Sequence, residues 1–210
     1  MTEYYVPTGM AESELVEKRS RFIGHVFPVG SETEAKARIE EMKKKYHDAR
    51  HNCWCYRLKD GLERCSDDGE PQGTAGQPIL NVFQREAVTD VCCVVTRYFG
   101  GVLLGAGGLV RAYAKSAKSA LDAAGRSVVQ SWIELAVPCA YALFERMKLE
   151  VEGAGGVLGE IDYAAEITLH ALLPEAEVAS FQARVIELTC GAGEAVVLGE
   201  TFRPAPLRKD

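Results

Sequence analysis

Between Asp90 and Thr96 the chain reads DVCCVVT, a short, continuous apolar run of the kind a buried central strand shows. The run constrains the fold because of what flanks it. Upstream lies DDGEPQGTAGQPIL, from Asp67; downstream lies VTRYFGGVLLGAGGLVRAY, ending at Tyr113. Side chains that charge, cap or bend the backbone crowd into these two loops, so any binding site is expected there.

The rest of the chain shows little chemistry. At 210 residues, 47% hydrophobic and 26% charged, it suits one large or two small globular domains. No apolar run reaches the roughly 18 residues of a membrane span. The opening MTEYYVPTGMAESELVEKRS lacks the basic and apolar regions of an export signal. Seven cysteines is an odd count, and Cys92 and Cys93 are neighbours in the strand-like run, which suits reduced thiols in the cytoplasm. The net charge of −6 is uneven: residues 1–133 carry 18 Lys and Arg against 17 Asp and Glu, leaving 6 against 13 for residues 134–210. The acidic second part should repel phosphate backbones, so nucleic-acid contact requires a basic patch in the first part. A basic protein partner suits the acidic part.

Periodicity predicts an α+β chain. A hairpin is expected over 14–29, and a helix over 31–47 with Ser31 as N-cap and Glu34 as its capping-box partner. A second hairpin spans 52–66, turning on Asp60-Gly61. A short helix follows near 79–84, with Pro78 as its first residue an easier reading than a Thr74–Gln77 capping box. After the central strand a helix runs from about Leu109 to Ala124, stopped by Gly125. Arg111, Lys115 and Lys118 share one of its faces, where Lys118 is spaced to pair with Asp122. Beyond it, strand 128–137, helix 141–151, strands 157–163 and 166–172, helix 174–188 and strand 195–202 form the β-α-β-β-α-β order of a ferredoxin-like domain. Domains are expected at 1–128 and 129–205, with a loose tail from Arg203.

Gly100, Gly101, Gly105, Gly107 and Gly108 lie between strand and helix, where backbone N–H groups and the helix dipole favour an anion. Arg97 and Arg111 flank them, and Tyr98-Phe99 adds stacking surface. Neither nucleotide fingerprint fits: no Gly-Lys-Ser/Thr follows, and Val110 stands where a G-x-G-x-x-G from Gly105 needs its third glycine. Tight packing alone would also explain the glycines. Asp67, Asp68 and Glu70, with Thr74 nearby, suit either Mg²⁺ or proton transfer, or equally the bonding of loop N–H groups. His47, His51, Cys53, Cys55 and Cys65 suggest zinc, but Cys53-x-Cys55 is not the usual gap of roughly two to four residues. A turn on Asp60-Gly61 alone would also set Cys65 opposite Tyr56, facing away from Cys53 and Cys55. No metal or cofactor is expected; Cys53 as a nucleophile beside His51 is the rarer alternative to a buried thiol.

The runs SDDGEPQGTAGQPIL (66–80) and VTRYFGGVLLGAGGLVRAY (95–113), with Lys18-Arg19-Ser20-Arg21-Phe22-Ile23 and His51-Asn52-Cys53, resemble the YigZ/IMPACT family. The departures are mild: Gln72 where Ser is commoner, and Cys55 where Ala is. The resemblance implies a first domain similar to the second domain of a small-subunit ribosomal protein and to domain IV of elongation factor G. It implies a ferredoxin-like second domain similar to that factor's domain V. It further implies translation-linked binding of RNA, the ribosome or a translation factor. Eukaryotic relatives restrain the starvation-activated kinase that phosphorylates an initiation factor, but they reach their partner through an additional N-terminal domain, so that control is not carried over. The alternative is an enzyme acting on a phosphorylated small molecule or nucleotide, with the acidic loop as catalyst and the glycine loop as phosphate holder.

Overall fold

The computed structural model describes residues 4–206. The chain divides into two compact units, residues 4–128 and 129–203. In the first, the elements run β1 (Tyr4–Pro7), β2 (Ala11–Glu17), β3 (Ser20–Pro28), α1 (Glu32–Lys45), β4 (His51–Arg57), β5 (Glu63–Ser66), α2 (Gly76–Arg85), β6 (Val91–Tyr98) and α3 (Ala106–Ala124). Strands β2-β3-β6-β4-β5 form an antiparallel sheet in that order. The apolar run is its middle strand.

Both faces of β6 are covered, which is why its sequence is apolar without alternation. Cys92 and Val94 pack with Ile39 and Met42 of α1 on one face. Cys93 and Val95 pack on the other with Ile79 and Phe83 of α2 and Tyr113, Ala117 and Leu121 of α3. Each fully buried aliphatic or aromatic side chain here contributes about 1.5–3 kcal/mol. Helix α1 starts as its capping residues predict: Ser31 Oγ accepts the Glu34 N–H at 3.2 Å. The Glu34 carboxylate reaches the Gly30 N–H at 2.7 Å, one residue before the capping-box position.

Two local expectations fail. The β4–β5 hairpin turns on three residues, Lys59 to Gly61, because Leu58 N–H bonds to Leu62 O at 2.9 Å and Asp60 Oδ1 accepts the Leu62 N–H. That extra residue sets Cys65 opposite Cys55, not Tyr56, so Cys65 shares a sheet face with Cys53 and Cys55. Helix α2 begins at Gly76, two residues before Pro78, and Thr74 Oγ1 donates to Pro71 O and makes no capping box. Pro78 still falls in the first turn, where a missing N–H costs nothing.

The second unit continues with β7 (Arg126–Cys139), a 3-10 turn at Tyr141–Leu143, α4 (Phe144–Gly153), β8 (Val157–Tyr163), β9 (Ile167–Pro174), α5 (Glu175–Leu188) and β10 (Val196–Pro206). Strand β7 pairs with both β9 and β10, and β8 with β9. Alternate residues of β7 and β9, among them Leu135, Val137, Leu169 and Leu173, meet Met147 and Val151 of α4 and Phe181 and Val185 of α5. Arg203 to Pro206 belong to β10, because the strand extends past Phe202; the remainder of the expected loose tail lies outside the described residues. Among the described residues, no helix is long and apolar enough to cross a membrane.

Candidate functional site

The acidic loop is built around Asp67. Its Oδ1 accepts the Ala75 and Gly76 N–H groups at 3.0 and 2.8 Å, and its Oδ2 accepts Gly73 N–H at 2.8 Å. It therefore caps α2 from outside the helix, the N-cap residue Ala75 having no side-chain oxygen. Burial pushes the Asp67 carboxyl up, but the three amide bonds outweigh it and hold the group below the ordinary carboxylate range. Asp68 ties the loop to β4: its Oδ2 accepts Asn52 N–H at 2.6 Å, and its carbonyl accepts His51 Nδ1–H at 2.7 Å. Both aspartates thus hold the loop in shape.

Glu70 is turned inward by that shape. Its side chain is 3% exposed, and Oε1 accepts Arg97 Nη1–H at 2.6 Å and Tyr113 O–H at 2.8 Å. His51 Nε2 stands 3.9 Å from the same oxygen. A carbonyl only accepts, so His51 carries its proton on Nδ1 and, when neutral, presents a lone pair at Nε2. Burial pushes the Tyr113 hydroxyl up, aided by Cys53 and Glu70. Cys53 is fully buried, its thiol pushed up chiefly by burial and set against Asp67 O and Tyr113 Oη, which leaves it inert as a nucleophile.

Arg97 is held as tightly. Its guanidinium lies 5.5 Å from the Phe22 ring centre and 5.6 Å from that of Phe99, and Nη2 donates to Ser20 Oγ. The same hydroxyl accepts Gly100 N–H at 3.2 Å. Gly100 lies so close to the β2–β3 turn that a Cβ would stand 2.0 Å from Arg19 C and O. The loop then runs through exposed Val102 and Leu103 to Gly105, which adopts φ 72° and leads into α3 with no capping side chain and no acidic residue in the first turn. The first helical bond is Leu109 N–H to Gly105 O, so the preceding amides lack acceptors in the helix.

The two loops share one cleft of about 390 Å³. Gly69, Glu70 and Pro71 line it from the acidic loop, Phe99 and Leu103 to Ala106 from the glycine loop, and His51 and Arg97 from the sheet. A second cleft of about 220 Å³ lies on the other side of Leu104, lined by Lys18, Arg111 and Lys115 together with Glu17, Leu15, Gly108 and Ala112. Asp67 and Asp68 line neither. Of the other residues singled out in sequence, Tyr98 is half-buried and donates to Asp48, while Lys118 pairs with both Asp122 and Glu86. Thr74 is buried in the acidic loop. Arg111 and Lys115, with Lys18, Arg19 and Arg50, carry no ion pair among the described residues. Sequence reasoning singled out His51 only as a partner of the cysteines, not of Glu70, and missed Tyr113, Lys18 and Arg50 as site residues; His51, Tyr113 and Lys18 stand inside motif runs, but nothing in their spacing shows which side chains converge. No group of three His, Cys, Asp or Glu among the described residues is arranged to hold a metal ion.

Known proteins share this arrangement of two units. Residues 18–121 match the Impact N-terminal domain, and residues 137–192 match a domain of unknown function (DUF1949). IMPACT family member YvyE of Bacillus subtilis is 36% identical over 193 residues, covering 91% of this chain and 89% of that protein. IMPACT family member YigZ of Escherichia coli is 34% identical, covering 87% and 92%. The Protein IMPACT homolog of Dictyostelium discoideum is 36% identical over 106 residues, 48% of this chain and 30% of its own length. A crystal structure described as a hypothetical protein aligns with TM-score 0.60 at 30% identity, covering 95% of this chain and 98% of its own. The first match contains both loops and every residue of the Glu70 cluster, and the bacterial relatives span both units: the chain belongs to the IMPACT family.

Proposed function

We propose that the first unit is an RNA-contacting module working in translation in the cytoplasm, with the ribosome or another structured RNA as its partner. The observation that carries this reading is the set of unpaired cations around the glycine loop. About half of the basic side chains of the unit are matched by carboxylates, as in Arg21–Glu14, Arg57–Glu63 and Lys118–Asp122. Lys18, Arg111 and Lys115 line an open cleft in which Glu17 also stands but pairs with none of them, and Leu103, 81% exposed, and Phe99, 42% exposed, line the neighbouring cleft across Leu104. Unmatched cations next to exposed apolar and aromatic surface suit phosphate contact combined with base stacking. On the same reading, the first unit takes the fold of the second domain of a small-subunit ribosomal protein and of elongation factor G domain IV. The second unit is ferredoxin-like, like that factor's domain V.

Fluorescence anisotropy of the full chain with structured and single-stranded RNA at low salt tests the proposal. Binding that weakens in Arg111→Ala and Lys115→Ala supports it; no binding at low salt rejects it. The enzyme alternative now rests on Glu70 beside His51, because the Asp67 carboxylate is spent on amides of its own loop and of α2 and that of Asp68 on the Asn52 N–H of β4. Turnover of a phosphorylated small molecule that is lost in Glu70→Gln would favour it.

A further inference from the structure

We infer that the cleft between the acidic and glycine loops is a nucleotide pocket that takes a guanine base, with the neighbouring basic cleft holding phosphate. The inference rests on the reading of this face as an RNA surface and names what it recognises.

The pocket's chemistry is specific. Its walls are apolar, from Phe99, Leu103, Leu104 and Leu109, and its volume of about 390 Å³ suits a flat heterocycle with part of its sugar. Its floor offers acceptors: Glu70 Oε2 takes none of the bonds that Oε1 receives from Arg97 and Tyr113, and the His51 tautomer that donates Nδ1–H to Asp68 O presents a lone pair at Nε2. The charge of Glu70 is already matched by Arg97, so these acceptors suit neutral N–H donors and not a second cation. Donors lie on the same lining. Arg97 is 6% exposed and its Nε–H has no acceptor, and the amides opening α3 have none in the helix. Guanine presents two adjacent donors, N1–H and the 2-amino group, beside the acceptor O6; adenine, cytosine and uracil each lack that arrangement.

Phosphate has its own place. Arg50, unpaired, stands at the cleft with Gly105 and Ala106, where the positive end of α3 emerges. Across Leu104, which borders both clefts, Lys18, Arg111 and Lys115 are set for the next phosphate of a strand. A free guanine nucleotide and a guanine in single-stranded RNA share this chemistry.

Calorimetric titration of the full chain with GMP, IMP, AMP, UMP and CMP tests the pocket. GMP should bind about tenfold tighter than AMP, UMP or CMP, with IMP, which lacks the 2-amino group, between them. Glu70→Gln should abolish the preference. Should that variant not fold, Leu103→Asp, at a solvent-exposed loop position, should weaken GMP binding without lowering the melting temperature. Equal affinity for GMP and UMP, or full GMP binding by Leu103→Asp, overturns the inference. Anisotropy with an oligouridine and the same strand carrying one central guanine separates the sources. Strand binding blind to the guanine, without GMP binding, removes the pocket and leaves the RNA surface. GMP binding without strand binding keeps the pocket for a free nucleotide and removes the RNA surface.

Discussion

The Glu70 and Arg97 side chains are 3% and 7% exposed, so each charge has lost its water and depends on the other. Removing one partner of such a pair leaves an uncompensated buried ion, whereas replacing both with apolar groups is often neutral. Arg97→Ala is therefore expected to lower the unfolding free energy by about 3–5 kcal/mol in urea denaturation. The double variant Glu70→Leu/Arg97→Met should recover much of that loss. A single variant as stable as the parent would show that the pair is not formed in solution. Asp67 gives a second residue-scale prediction. Its carboxyl is held low in the fold, so the unfolded chain takes up the proton first, at about pH 3.9. The stability it contributes is complete above that pH and is lost as pH falls through the lower folded-state value. In Asp67→Asn an amide N–H₂ competes for the place facing the Gly73 N–H, and a deficit of about 1 kcal/mol at pH 7 is expected. That deficit should close as the parent is acidified below about pH 4, read from urea midpoints across pH.

Elements were more legible than their connections. Continuous apolar character placed β6 at the sheet centre, and Ser31, Lys118 and Gly125 marked local contacts that depend only on neighbours three or four residues away. The β4–β5 register was lost because one loop residue decides it, and a one-residue slip reverses every side chain. The cap of α2 was lost because Asp67 reaches Gly76 across nine residues, outside any capping pattern. Glu70, Arg97 and Tyr113 were each visible as residue types, yet their meeting spans separations of 27 and 43 residues that only the folded sheet brings together. The glycine loop shows how little composition alone decides. Gly100 abuts the Arg19 backbone, so Gly100→Ala should cost about 1–3 kcal/mol by overpacking. Gly107 lies within α3, where an added Cβ meets only the flexible end of Arg111 at 3.5 Å. Gly107→Ala should therefore stabilise the chain by about 0.5–1 kcal/mol through helix propensity. Thermal melts of the two variants should move in opposite directions; two shifts of the same sign would contradict this account of the loop.

For the whole molecule, charge is distributed against the proposed partner. The chain carries a net −6, with 6 Lys and Arg against 13 Asp and Glu beyond residue 133, so it has no overall attraction for a polyanion. Binding must come from cations close enough to the strand to displace counterions, since other charges are screened beyond about 8 Å at physiological salt. Lys18, Arg111 and Lys115 around the smaller cleft meet that requirement; Lys118, one turn beyond Lys115 and committed to Asp122 and Glu86, does not. Each phosphate neutralised on a single strand contributes roughly −0.7 to the slope of log affinity against log salt. Three contacts thus give a slope of about −2, and the double variant Arg111→Ala/Lys115→Ala should reduce its magnitude by about 1.4. Lys118→Ala, on the same helix, should leave the slope unchanged. Anisotropy titrations at several salt concentrations measure all three chains. A slope untouched by the double variant, or reduced equally by Lys118→Ala, would mean that position on the helix rather than freedom from carboxylate partners governs binding, and the smaller cleft would lose its role as the phosphate contact.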